Sequence, residues 1–146
     1  MSYTTVETAT VAVIRKHADF DADHCKAADG KMFGKGLARF CLVSYNSDRT
    51  QELTIRVELR IWLLNIDVFV PWHGDLAELE QRVDAEVQKV KDMIAKYPRL
   101  DATAGVTKAI LATGNPKDVL QVAKGTYRGK RSILEVQEAV DPARAE

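Results

Sequence analysis

Residues 53–70 read LTIRVELRIWLLNIDVFV, the longest stretch of two-residue periodicity in the chain. Leu53, Ile55, Val57, Leu59, Ile61 and Leu63 fall on one side of an extended strand. Thr54, Arg56, Glu58, Arg60 and Trp62 fall on the other. A helix cannot gather either set on one face, so the stretch is a β-strand. From Leu64 the parity reverses, and Leu64, Ile66, Val68 and Val70 carry the apolar alternation on even numbers. At about 3.3 Å per residue an unbroken strand here would span roughly 60 Å, well beyond the usual length. It must bend at a bulge near Leu63–Leu64, or leave its own domain and pair with a neighbouring copy. Both arrangements suit a sheet built for assembly.

The flanks supply the rest of an α+β domain. Upstream, Ala38, Phe40 and Leu42 alternate with Arg39, Cys41, Val43 and Tyr45, which predicts a strand over 37–46. NSDRTQ then serves as the turn of an antiparallel hairpin. Downstream, Pro71, Trp72 and Gly74 end the long strand. Asp75-x-x-Glu78 is a capping box, followed by Leu76, Leu79, Val83, Val87, Val90, Ile94 and Tyr97 at helical spacing up to Pro98. Thr4-x-x-Glu7 marks a shorter helix over 5–18, and the polar, glycine-containing residues 19–36 read as a long surface loop. Short strands are expected over 104–113, 119–124 and 131–138, with turns at 114–117 and 125–130. The architecture is a single, mainly antiparallel mixed sheet with one long and one short helix packed against it, over residues 1–140. Residues 141–146 form a disordered tail.

Composition narrows the function. The chain has 146 residues with 21 basic and 21 acidic side chains, so no net charge draws it to nucleic acid or an anionic membrane. No apolar run is long enough for a membrane span, and MSYTTVETAT lacks signal-peptide character. Two cysteines, Cys25 and Cys41, suit reduced thiols of a cytoplasmic product better than a disulfide framework.

Catalytic and ligand motifs are weak. Phe33-Gly34-Lys35-Gly36 lacks the spacing of a phosphate loop, and a strand follows it where a helix is required. His17, His24, Cys25 and Cys41 match no zinc spacing, and His73 fits a strand-to-helix turn. Asp19, Asp21, Asp23 and Asp29 lack the glutamate and central glycine of a calcium loop. No nucleophile elbow or metalloprotease helix motif occurs. The expectation is no enzyme, no cofactor and no metal. Lys117, Lys124, Arg128, Lys130 and Arg131 make the C-terminal region basic, with only Tyr127 interleaved, a pattern that suits a solvated sheet edge better than nucleic-acid recognition. Trp62 is open to two readings: an exposed aromatic among arginines, as in interface cores, or plain core under the chain's own helix. Phe69 and Trp72 share that ambiguity.

The order of parts resembles the tail terminator (tail completion) proteins of long-tailed bacteriophages, the lambda U-like group. The resemblance runs from the short first helix through FGKGLARFCLVSY and the long strand ending at Pro71-Trp72. It continues through the amphipathic helix closing on YPRL, then GVTKAILATGNP and SILEVQEAV. It covers nearly the whole chain and rests on architecture and size. It implies a virion protein made in the host cytoplasm that assembles as a hexameric ring. Such a ring caps the tail tube protein, stops polymerisation, meets the head-side connector and lets DNA pass without sequence recognition. The family has no catalytic residues to carry over. Under this reading Arg56, Glu58, Arg60, Trp62 and Phe69 form the subunit interface, and Phe33, Lys35 and Arg39 contact the axial partner. The alternatives are a head–tail joining (neck) protein, a small-molecule-binding α+β module with a cleft between long helix and sheet, and a nucleic-acid binder.

Overall fold

The computed structural model describes residues 3–27, 38–52, 58–72, 75–103, 105–112, 120–122 and 125–140. The elements run α1 (Tyr3–Ile14), β1 (Cys25–Ala27), β2 (Phe40–Glu52), β3 (Glu58–Pro71), α2 (Leu76–Lys96), β4 (Val106–Ala112), β5 (Leu120–Val122) and β6 (Gly125–Val140). They form one six-stranded sheet in the order β1-β2-β3-β6-β4, with β5 also paired to β6. Only β1–β2 is parallel, so the fold is α+β with a mixed, mainly antiparallel sheet.

The long strand differs from its sequence reading in an instructive way. β2 continues through NSDRTQ to Glu52, which pairs with Glu58, so the connection falls at residues 53–57, outside the described residues. Charged and small polar residues mimic a turn in sequence, yet at a sheet edge they are ordinary strand residues. A bulge lies at the predicted level, but in the partner strand. The register shifts between Tyr45 and Ser47, opposite Leu64 and Leu63, but the extra residue lies in β2 and not in the long strand. β3 pairs with β6 without a shift from Glu58↔Val140 to Pro71↔Tyr127. It is held on both sides by its own chain, which corrects the expectation that this ribbon pairs with a neighbour.

Because β3 keeps one parity, its two faces are fixed. Trp62, Leu64, Ile66, Val68 and Val70 face the helices, with Cys41 and Val43 from β2 and Leu134 and Val136 from β6. Val6, Val11, Val13 and Ile14 of α1 and Leu79, Val83, Val87, Val90 and Ile94 of α2 close the same core. α2 matches its prediction: the Asp75 carboxylate accepts the Glu78 N–H at 2.8 Å, and the helix ends before Pro98. Two ion pairs dock it in register, Glu80–Arg128 at 2.7 Å and Asp84–Lys130 at 3.0 Å. One helical turn and two strand residues cover nearly equal distances, about 6 Å, so both pairs form together.

The first helix starts earlier and stops sooner than predicted. Lys16 and His17 donate to Val13 and Ile14, tightening the last turn. His17 then adopts extended backbone and its Nδ1 accepts the Asp19 N–H, capping a 3₁₀ turn (Ala18–Phe20) that buries Phe20. The predicted long loop thus holds a turn and the edge strand β1. β6 begins at Gly125, so GTYRGK is strand and not turn. Residues 141–146 lie outside the described residues.

Candidate functional site

The other face of the sheet carries no helix among the described residues. Leu59, Ile61, Leu63, Asn65, Asp67 and Phe69 of β3 lie on it, with Leu42 from β2, Ile133 from β6 and Ile110 from β4 as cross-strand neighbours. Its charges are satisfied locally. Arg131 donates through Nε and Nη2 to both oxygens of Asp67, at 2.8 and 3.0 Å. Asn46, at the bulge, donates to Asn65 at 2.9 Å. At one end Phe69 stacks on Phe40, centroids 4.8 Å apart, with the Tyr127 ring edge-on. Gly129 lies opposite Phe69, and a Cβ there would approach the ring to 2.2 Å.

The strands run well past the helix layer. α2 has 21 residues and is about 30 Å long, whereas the 16 residues of β6 extend over about 50 Å. The excess forms an arm in which Asp48–Gln51 of β2 are exposed and Glu58, Leu59 and Arg60 of β3 half-buried. Arg60 marks its root. Its guanidinium sits 4.2 Å from the Trp62 ring centroid and donates to Asp48 at 3.0 Å. The Trp62 indole N–H reaches Glu138 at 3.4 Å. Tyr45 also hydrogen-bonds Asp48; that bond, and then Arg60, hold the Asp48 carboxyl below the ordinary carboxylate range, and the same bond pushes the Tyr45 phenol up.

The predicted interface residues therefore separate. Trp62 is 4% exposed and belongs to the main core, so the core reading describes it. Phe69 is buried under its own ring cluster and offers no surface. Glu58 and Arg60 lie on the arm, and Arg56 falls outside the described residues. Of the axial set, Phe33 and Lys35 also fall outside them. Arg39 is turned inward, its Nε 2.9 Å from Glu86, which Lys89 also reaches at 2.9 Å. The Arg39 contact is an ion pair by proximity, without an in-line hydrogen bond. Arg39 precedes the start of β2, at the Phe40–Phe69 end of the sheet, whereas Glu58 and Arg60 lie at the other. Trp72 (39% exposed) and Leu76 (54%) stand at the Arg39 end.

The ligand candidates are occupied by structural contacts. Asp19 pairs with Lys89 at 2.9 Å, which lowers its pKa, and Asp21 is held low by His24 at 2.7 Å and by the Asp23 N–H. Among the described residues no group of three or more His, Cys, Asp or Glu side chains could hold a metal. Arg128, Lys130 and Arg131 are each paired to a carboxylate, and Lys117 and Lys124 lie outside the described residues. A groove of ≈430 Å³ runs beside α1 and β1, lined by Glu7, Thr8, Val11, Arg15 and Lys26. The Arg15 Nε there already donates to the Cys25 carbonyl at 2.9 Å.

Asp48, Glu138 and Gly129 escaped sequence reading because each matters through a cross-strand neighbour, and register was unknown. Compared with known protein families and with curated proteins, the chain matches none.

Proposed function

We propose that this chain is a structural virion subunit, a tail terminator that caps a phage tail tube as a hexameric ring and joins it to the head-side connector. The observation that carries the reading is the mismatch of layers. Three adjacent strands of 13, 14 and 16 residues outrun their helices and leave one broad face without helix cover among the described residues. A closed ring needs two different patches on each subunit that fit each other head to tail. The arm with Glu58 and Arg60, and the helix-free face with Leu63, Ile110 and Ile133, are two such patches. The opposite end, with Trp72 and Leu76, is left for the axial partner. The locally paired basic residues of β6 suit a lumen through which DNA passes without being held.

Ile110 gives the test, because it is 39% exposed and sits on edge strand β4. Ile110→Asp should leave the circular dichroism melt of the monomer unchanged and abolish rings in mass photometry and negative-stain images. It should also abolish capping, read as the length of tube assembled in vitro. Wild-type protein that stays monomeric with tail tubes and never shortens them would remove the reading.

A further inference from the structure

Cys25 and Cys41 are register partners on the parallel pair β1–β2, both fully buried and both free thiols. Neighbouring strands lie about 4.8 Å apart, and a disulfide requires Cβ atoms about 3.5–4.5 Å apart. That strand spacing already lies within the roughly 4.4–6.8 Å between Cα atoms that a disulfide spans, so only a small adjustment of the edge strand is needed. β1 is suited to that movement. It has 3 residues, lies at the sheet edge, and is tied down by the Cys41 N–H to His24 bond (2.7 Å) and the Arg15 bond to Cys25. While β1 is docked, hydrogen bonding to the Cys25 thiol, and then burial, push the Cys41 thiol up. Reaction therefore waits on local opening of the edge strand.

We propose that Cys25 and Cys41 are a reversible thiol–disulfide pair that, when oxidised, closes residues 26–40 into a covalent loop. With oxidised glutathione as oxidant, the Cys25 thiolate, exposed as β1 opens, attacks one glutathione sulfur and releases the other half as a thiolate. The Cys41 thiolate then displaces the bound glutathione as β1 redocks. The protein loses two electrons and two thiol protons, and one oxidised glutathione becomes two reduced ones. In sequence the closed loop contains Phe33, Lys35 and Arg39. The pair itself does not depend on ring formation.

The test treats the native full chain with oxidised glutathione. Intact mass should fall by two hydrogens with no glutathione adduct, and a non-reducing digest should link the Cys25 and Cys41 peptides. Tryptic cuts after Lys31 or Lys35 should leave the two pieces joined until reductant is added. Oxidation should accelerate several-fold in urea well below the unfolding transition, and Cys41→Ser should stop at the mixed disulfide. A stable glutathione adduct on the wild type, a disulfide-linked dimer, or thiols inert until global unfolding would each overturn the pair. Rings are scored separately in reductant, so failure of either idea leaves the other standing.

Discussion

Phe69 lies flat on the sheet because the residue beside it on β6 has no side chain. Gly129 is fixed by that ring and not by backbone geometry, since any Cβ would overlap Phe69 atoms at 2.2 and 2.4 Å. The ring cannot simply rotate away, because Phe40 stacks on it at 4.8 Å and Tyr127 packs edge-on against Phe40 at 4.9 Å. Gly129→Ala should therefore destabilise the protein by about 1–3 kcal/mol, the usual effect of overpacking. The measurement is the urea midpoint at constant m-value. A neutral midpoint would mean that the aromatic cluster repacks freely. Trp62 teaches the complementary lesson. The residues of its own parity that precede it are Glu58 and Arg60, but it is buried in the core with Leu64 and Val136, under the flat of the Arg60 guanidinium. An aromatic sealed by Arg60 is easily mistaken for an exposed one when only the chain is read.

At the scale of elements, what could be read from sequence depended on length and on locality. α2 was legible because its cap and apolar spacing are contained within it. β1 was not, because 3 residues are too few for alternation to register. The hairpin turn was misplaced because polar residues 46–51 continue a strand whose edge is wet. The interface candidates were poorly legible because burial depends on what covers each face of β3: Trp62 and Phe69 are buried, while Glu58 and Arg60 lie on the arm. The connection after α2 also carried no sequence signal. Leu100, Asp101 and Ala102 follow one another at φ 49°, 57° and 59°, the left-handed region, without a glycine among them. The Thr103 hydroxyl donates to the Leu100 carbonyl at 2.6 Å, and the Thr103 N–H donates to Arg99 at 3.1 Å, which holds the turn. Each such residue costs on the order of 1–2 kcal/mol. Ala102→Gly relieves that cost and loses about 0.4–1 kcal/mol to unfolded-state freedom, for a net gain of about 0.5 kcal/mol. The same change at exposed Ala85 in the middle of α2 should cost about 1 kcal/mol. Opposite signs for the two urea midpoints are expected; equal losses would rule out the left-handed turn.

For the whole molecule, the pH range of stability follows from a few surface contacts, of which Asp19–Lys89 ties the turn after α1 to α2. Asp19, Asp21 and Asp48 are all held below the ordinary carboxylate value, Asp19 chiefly by Lys89, Asp21 by His24 and Asp48 by Tyr45. A lowered folded-state pKa contributes stability that is present above the unfolded value, about 3.9 for aspartate, and is lost as pH falls through the folded value. On the alkaline side the sign reverses. Burial, and then the hydrogen bond to Glu7, push the Tyr3 phenol up; Asp48 does the same for Tyr45, and Asp19 for Lys89. Raised groups contribute stability fully present below their unfolded values, about 10, and lost as pH rises through the folded ones. The Asp19–Lys89 and Tyr45–Asp48 contacts each appear on both sides, so each counts once. Tyr3 and Tyr45 meet edge to face at 4.8 Å, where α1 crosses β2. Ionising both phenols places two negative charges at that contact, beside the carboxylates of Glu7 and Asp48. Urea midpoints followed by helical circular dichroism should thus stay level from about pH 5 to pH 9, fall below about pH 4, and fall again above about pH 10. In Tyr3→Phe the alkaline fall should be shallower and the acid limb unchanged. An alkaline limb of undiminished slope in that variant would place the loss elsewhere than at the α1–β2 contact.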